Sequence, residues 1–200
     1  RRAFNLPSDW LEAFDTEVRN GALSQAGINF VGYLGYGAGL GEAARGMHAA
    51  LETTGIPMSV RNVPHTLGSD KLLDINTMGL DLYDKTLMVL QPDALDHHLS
   101  ACGTSYDRQG YHIGMWTWEL ENVPDTWNGG FQRVDEVWTP SDFVTEAVRR
   151  ATELPVRTIP YCVEIGEVDT IDRGLLGVPD DHFMFLFMFD NSSVMERKNP

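Results

Sequence analysis

Eight residues, Gly35-Tyr36-Gly37-Ala38-Gly39-Leu40-Gly41-Glu42, carry the clearest chemical possibility in the chain. They stand between a short apolar run, Ile28 to Leu34, and a segment with helical periodicity. A helix N-terminus presents unpaired backbone N–H groups and the positive end of the helix dipole, and glycine lets an anion come close to them. A phosphate-bearing ligand suits such a turn, although the same letters also fit a turn with no ligand. The dinucleotide fingerprint needs glycines at i, i+2 and i+5. Starting from Gly35, Gly37 or Gly39, the third position is Leu40, Glu42 or Ala44, so no register completes it. The acid expected at the end of the next strand is replaced by Arg61 and Asn62. No Gly-Lys-Ser/Thr follows, which removes the P-loop. A second cluster, His97 and His98 near Asp93 and Cys102, lacks a spaced metal-ligand set and reads as a polar helix face.

The elements that must hold these residues follow from periodicity. Ala43, Met47, Ala50 and Leu51 share one face of a helix over Glu42 to Thr54, closed by Gly55 and Pro57. Met58 to Val63 is the next β-like run, so the region reads as a βαβ unit. Thr86 to Leu90, Tyr111 to Trp118, Glu136 to Thr139 and Val156 to Tyr161 are near-continuous apolar runs, the signature of parallel strands buried on both faces. Between the last two, Ser141 caps a helix to Thr152 with Val144, Ala147, Val148 and Ala151 facing inward. Ser8 to Asn20 reads as a further helix. The stretch from Asn62 to Lys85 has no clear period and reads as loop with room for one short strand.

From Glu164 to Asp181 acids, glycines and a proline replace the apolar pattern, which marks a domain boundary. Phe183 to Phe189 then reads as a central strand of a second sheet, a run so apolar that it needs partners to cover it. The expected organisation is a helical extension over 1–25, a domain over 26–165, a linker over 166–181 and the start of another domain over 182–200, a piece of a longer protein.

Composition limits the partners. The chain has 200 residues, 42% of them hydrophobic, enough for one good core. A net charge of −14 repels a phosphate backbone and argues against nucleic acid. Cys102 and Cys162 lie far apart with no CxxC spacing, so neither a disulfide framework nor structural zinc is expected, and a reducing cytoplasm suits them. No apolar stretch reaches membrane-spanning length, and contact with the inner membrane face would be peripheral.

The run Gly37 to Arg45 resembles the glycine-rich loop of retaining GT-B glycosyltransferases of family 4, often G-x-G-L-G-E-A-A-R. Three more stretches resemble the same group in the same order: Gly114 to Leu120 with Pro124, Asp135 to Val144, and Phe189-Asp190 followed by Glu196 to Pro200. The resemblance implies an α/β fold: a Rossmann-like, mostly parallel sheet with helices on both faces, followed by a truncated second domain of the same kind. It implies transfer of a sugar from a nucleotide-sugar donor to a glycan, lipid or small-molecule acceptor, with retention by same-face attack and the departing phosphate taking the acceptor's proton. No metal or other cofactor is expected, so fixed cations and helix N-termini must meet the charge on the leaving diphosphate.

Gly37, Gly39, Leu40 and Gly41 would then approach the donor from this domain. Lys198 matches the family lysine on the donor phosphates, and Arg197 stands beside it where the family's arginine lies some residues earlier, near Ser192. Trp118-Glu119 falls where relatives carry a His-Asp pair. Glu119 is the candidate catalytic carboxylate, able to bind hydroxyls or assist a proton transfer, or else a helix-start acid. Trp116, Trp118 and Trp127 can stack on a sugar face, with core packing expected for at least one, and His65 after a strand end can reach the same cleft. The competing readings are a nucleotide-cofactor oxidoreductase and an acceptor-binding module that is inactive as this chain stands.

Overall fold

Six strands pair side by side, every pair parallel, in the order β2-β1-β3-β4-β5-β6. They are β1 (Ile28–Gly32), β2 (Met58–Asn62), β3 (Lys85–Val89), β4 (Tyr111–Met115), β5 (Glu136–Thr139) and β6 (Val156–Thr158). This computed structural model describes residues 23, 25–63, 82–95, 110–163, 173–179 and 181–188. The expected helix at Ser8 to Asn20 lies outside them. The chain divides into two compact units after Val163.

Helices cover both faces of the sheet, as an α/β Rossmann-like fold requires. Helix α1 (Gly39–Glu52) puts Ala44 and Met47 against Phe30, Leu87, Val89, Ile113 and Met115. On the other face Val31, Met88 and Val137 pack with Trp116, Trp127 and with Val144 and Val148 of α3 (Asp142–Arg149). A one-turn helix, α2 (Asn128–Phe131), follows a 3-10 turn over Asp125–Trp127. Strand β3 is buried from its second residue onward, which is why its sequence is apolar without alternation.

The local signals act as their chemistry dictates. Ser141 accepts from the Val144 amide and starts α3, which ends at Arg149 rather than at the expected Thr152 and leaves Ala151 exposed instead of inward. Gly55, at φ +71°, ends the α1 turn in a conformation that disfavours side chains. Helix α1 starts at Gly39, three residues before the periodic pattern at Glu42, because glycines carry no apolar signal while Leu40 packs onto the core. Strand β4 stops at Met115 and β6 at Thr158, short of the expected Trp118 and Tyr161, although the next amides, Trp116 and Ile159, still donate to Trp138 O and Thr139 O of β5. Asn29, buried in β1, fills its hydrogen-bonding capacity by donating to Tyr83 O and Thr86 Oγ1 and accepting from the Leu82 and Tyr83 amides. It thereby pins the chain entering β3.

In the second unit the expected strand over Phe183 to Phe189 is not formed at 183–188, which has no regular structure. A strand needs a neighbour to take its amides and cover its side chains; here Phe183, Leu186 and Met188 are exposed and Phe185 is 91% exposed.

At the amino ends of β4 and β5, Glu136 is buried and receives three donors. The Tyr111 hydroxyl donates at 2.7 Å, the Trp138 indole N–H at 2.8 Å, and the Arg157 guanidinium binds the same oxygen as Trp138. Burial pushes this carboxyl up, but the three hydrogen bonds and the arginine charge outweigh it and hold it below the usual range. A carboxyl lowered in the folded state adds stability above its unfolded value of about 4.3 and loses it as pH falls through the folded value. Glu136→Gln is therefore expected to lower the melting temperature at neutral pH and to flatten its fall below about pH 5. Melts followed by circular dichroism across this range check it; an acid profile like wild type would show that the network adds nothing.

Candidate functional site

In an open parallel sheet, ligands lie beyond the carboxyl ends of the strands, at the point where the strand order reverses. Here β1 has β2 on one side and β3 on the other, so the switch point lies between the turn after β1 and the turn after β3. The glycine cluster is the first of these turns.

Three contacts shape it. Asn62, the last residue of β2, accepts from the Gly35 amide at 3.1 Å. Tyr36 N donates to Tyr33 O. Arg45 of α1 donates to Leu34 O at 2.9 Å and to Tyr36 O at 2.8 Å. Helix α1 then begins with extended backbone at Ala38 and no side-chain cap; Ala38 O accepts from the Gly41 and Glu42 amides. The first two helical amides, Gly39 and Leu40, find no acceptor among the described residues, which leaves donors at the positive end of the dipole.

The two candidate glycines differ. A Cβ on Gly39 would meet nothing within 4 Å among the described residues, so the space in front of it is open with respect to them. A Cβ on Gly41 would run into Tyr36 O, so this buried glycine lets the helix close onto its own turn. Gly37 is exposed and Leu40 half-buried against the core.

The turn after β4 reaches the same edge of the sheet. It is tied to the β3 turn by Gln91, whose Nε2 donates to Thr117 O at 3.0 Å and whose Oε1 accepts from the Thr117 amide. Trp118 Nε1 donates to Asn122 O and closes the loop, and Arg150 donates to Glu121 O and ties it to α3. Glu119 sits exposed within this loop. Trp118 is half-buried, its ring edge-on to Trp127 at 5.2 Å. Trp116 is fully buried between Trp127 and Phe131, with its indole folded back over Gly114, so it packs the core and presents no face to a ligand. Trp127 is likewise buried.

Tyr33, the residue after β1, is buried; burial, helped by Asp93 and Tyr36, pushes its hydroxyl far above the ordinary range and keeps it neutral. At the ends of β5 and β6, Thr139, Thr145, Thr158 and Asp142 form a hydrogen-bonded chain. Each member is occupied by the next.

The structure thus gathers Gly37, Gly39, Leu40, Trp118 and Glu119 at one edge, while His65, Arg197 and Lys198 lie outside the described residues. His97, His98 and Cys102 lie outside them as well, and no metal-holding group of His, Cys, Asp and Glu exists among the described residues. Sequence reading missed Asn62, Arg45 and Gln91. The available signal was a polar residue at or just past the carboxyl end of a buried parallel strand, as Asn62 and Gln91 are. No helix among the described residues is long and apolar enough to cross a membrane. No protein-family profile matches this chain, and no curated protein matches it.

Proposed function

We propose that the chain is the acceptor-side domain, with the start of the donor domain, of a retaining GT-B glycosyltransferase that moves a sugar from a nucleotide-sugar donor to a glycan, lipid or small-molecule acceptor. What carries the reading is the glycine turn at the switch point of the sheet: an uncapped helix N-terminus with open space at Gly39, inside a run that resembles the family's loop. Trp118 and Glu119 on the same edge support it, as an aromatic face and a carboxylate suited to sugar hydroxyls.

The oxidoreductase alternative has less support. A dinucleotide enzyme uses an acid at the end of β2 to hold the ribose. In this chain Arg61 is buried and Asn62 is bound to the Gly35 amide. The test is a transfer assay on the full-length protein with a panel of UDP-, GDP-, ADP- and TDP-sugars against glycan and lipid acceptors, run with a chelator and with the product anomer read by NMR. Transfer with retention from one donor is expected. Saturable NAD(P) binding with no transfer from any donor would overturn the proposal.

A further inference from the structure

Arg45 sits next to the proposed donor surface, yet its guanidinium is turned away from ligand duty. The side chain is 19% exposed, and Nη1 donates to two carbonyls of the glycine turn, those of Leu34 and Tyr36. Nη2 is buried without a hydrogen-bond partner among the described residues, 3.2 Å from the exposed carboxylate of Glu42. The positive charge is thus placed against the turn's own backbone oxygens. A carbonyl drawn toward one side of a turn fixes the peptide planes on either side of it, because each plane is rigid. Leu34 and Tyr36 bracket Gly35, whose amide is held by Asn62, so three consecutive residues of the turn are tied from two elements. Tyr36 O is also the atom against which Gly41 packs. One guanidinium nitrogen therefore connects the turn to the first turn of α1, where the Gly39 and Leu40 amides are open.

We infer that Arg45 is a positioning residue: it sets the shape of the glycine turn and, through Tyr36, the aim of the Gly39 and Leu40 amides, without itself touching the donor. The inference rests on the reading of this turn as a donor surface. It predicts that charge alone does not replace arginine. Lysine keeps the charge, but its ammonium falls short of the guanidinium's reach and has no second nitrogen to lie beside Glu42.

The deciding variants are Arg45→Lys and, as a control on the exposed ion pair, Glu42→Gln. Arg45→Ala leaves two turn carbonyls without their donor and can fail to fold, so it does not decide the matter. In the 15N-labelled chain, the amide resonances of Gly37 to Leu40 should move or broaden in Arg45→Lys, those of Thr145 to Val148 in α3 should stay in place, and Glu42→Gln should leave both sets in place. In the full-length protein, with the donor identified by the transfer panel, Arg45→Lys should lower kcat/KM for the donor by about a hundredfold, the size of a misplacement near 1 Å, while the acceptor KM changes little. Unmoved turn amides overturn the inference whatever the kinetics. Moved amides with wild-type transfer also overturn it, since the shape of the turn would then not serve the reaction. A wild-type protein inert toward every donor overturns the transferase reading instead, and the amide shifts still decide whether Arg45 sets the turn.

Discussion

Gly39→Ala is expected to leave the melting temperature of the chain unchanged or a few degrees higher, while sugar transfer by the full-length protein falls on the order of a hundredfold. Gly41→Ala, two residues along the same helix, is expected to do its damage to the fold. The difference is steric. At Gly39 an added methyl group meets open space, and alanine favours the helix, so the folded state loses nothing. On the proposed reading, that open space is where a phosphate oxygen would enter to reach the Gly39 and Leu40 amides, which have no acceptor among the described residues, and the methyl fills it. At Gly41 the methyl runs into Tyr36 O, a backbone atom already held by Arg45, so the turn must separate from the helix. Such overpacking costs about 1 to 3 kcal/mol. At roughly 2 to 4 degrees per kcal/mol in a chain of this size, the melting temperature should drop by several degrees. Thermal melts of both variants beside transfer rates separate the two effects. If Gly39→Ala unfolds the chain while the remaining folded protein transfers sugar normally, the turn is only a turn.

Lys198→Ala is expected to lower transfer by on the order of a hundredfold or more in the full-length protein, with the fold of the first unit unchanged. The departing nucleoside diphosphate gains charge as the glycosidic bond breaks, and the resemblance implies that no divalent cation is there to meet it. A fixed ammonium at the phosphates then becomes a principal source of stabilisation, strengthened where water is excluded. Lysine at 198 matches the family position for that cation, and Arg197 beside it tests the assignment further. Arg197→Ala should have a smaller effect than Lys198→Ala if Lys198 is the phosphate contact. Turnover near wild type in Lys198→Ala would remove that residue from the donor site.

Much of the α/β architecture was legible because its signals are local. A cap and the periodic face it starts lie within one or two helical turns, so Ser141 and the Val144, Ala147, Val148 pattern place α3 without reference to the rest of the chain. Strands buried on both faces lose their alternation, and Leu87, Met88 and Val89 carry that mark openly. The run at Phe183 shows the limit of the same rule. Its apolar character reads as a strand, but at 183–188 no strand forms, because strand formation depends on a neighbour rather than on the run itself.

The site divides in the same way. The sequence by itself determined that a glycine turn would stand between a strand and a helix, that the glycine fingerprint for dinucleotides and its acid would be missing, and that aromatic residues and a carboxylate would follow a buried strand. Tertiary structure alone decided that β1 lies between β2 and β3, which puts the switch point of the sheet at that turn. It also decided that Trp116 is core while Trp118 stays at the edge, that Gly39 faces open space while Gly41 faces Tyr36, and that Arg45 spends its guanidinium on backbone carbonyls. The reason is distance along the chain. The Gly35 amide finds Asn62 across 27 residues and Gln91 finds Thr117 across 26, and no pattern read over one helix or one strand contains a contact between elements that meet only when the sheet has assembled.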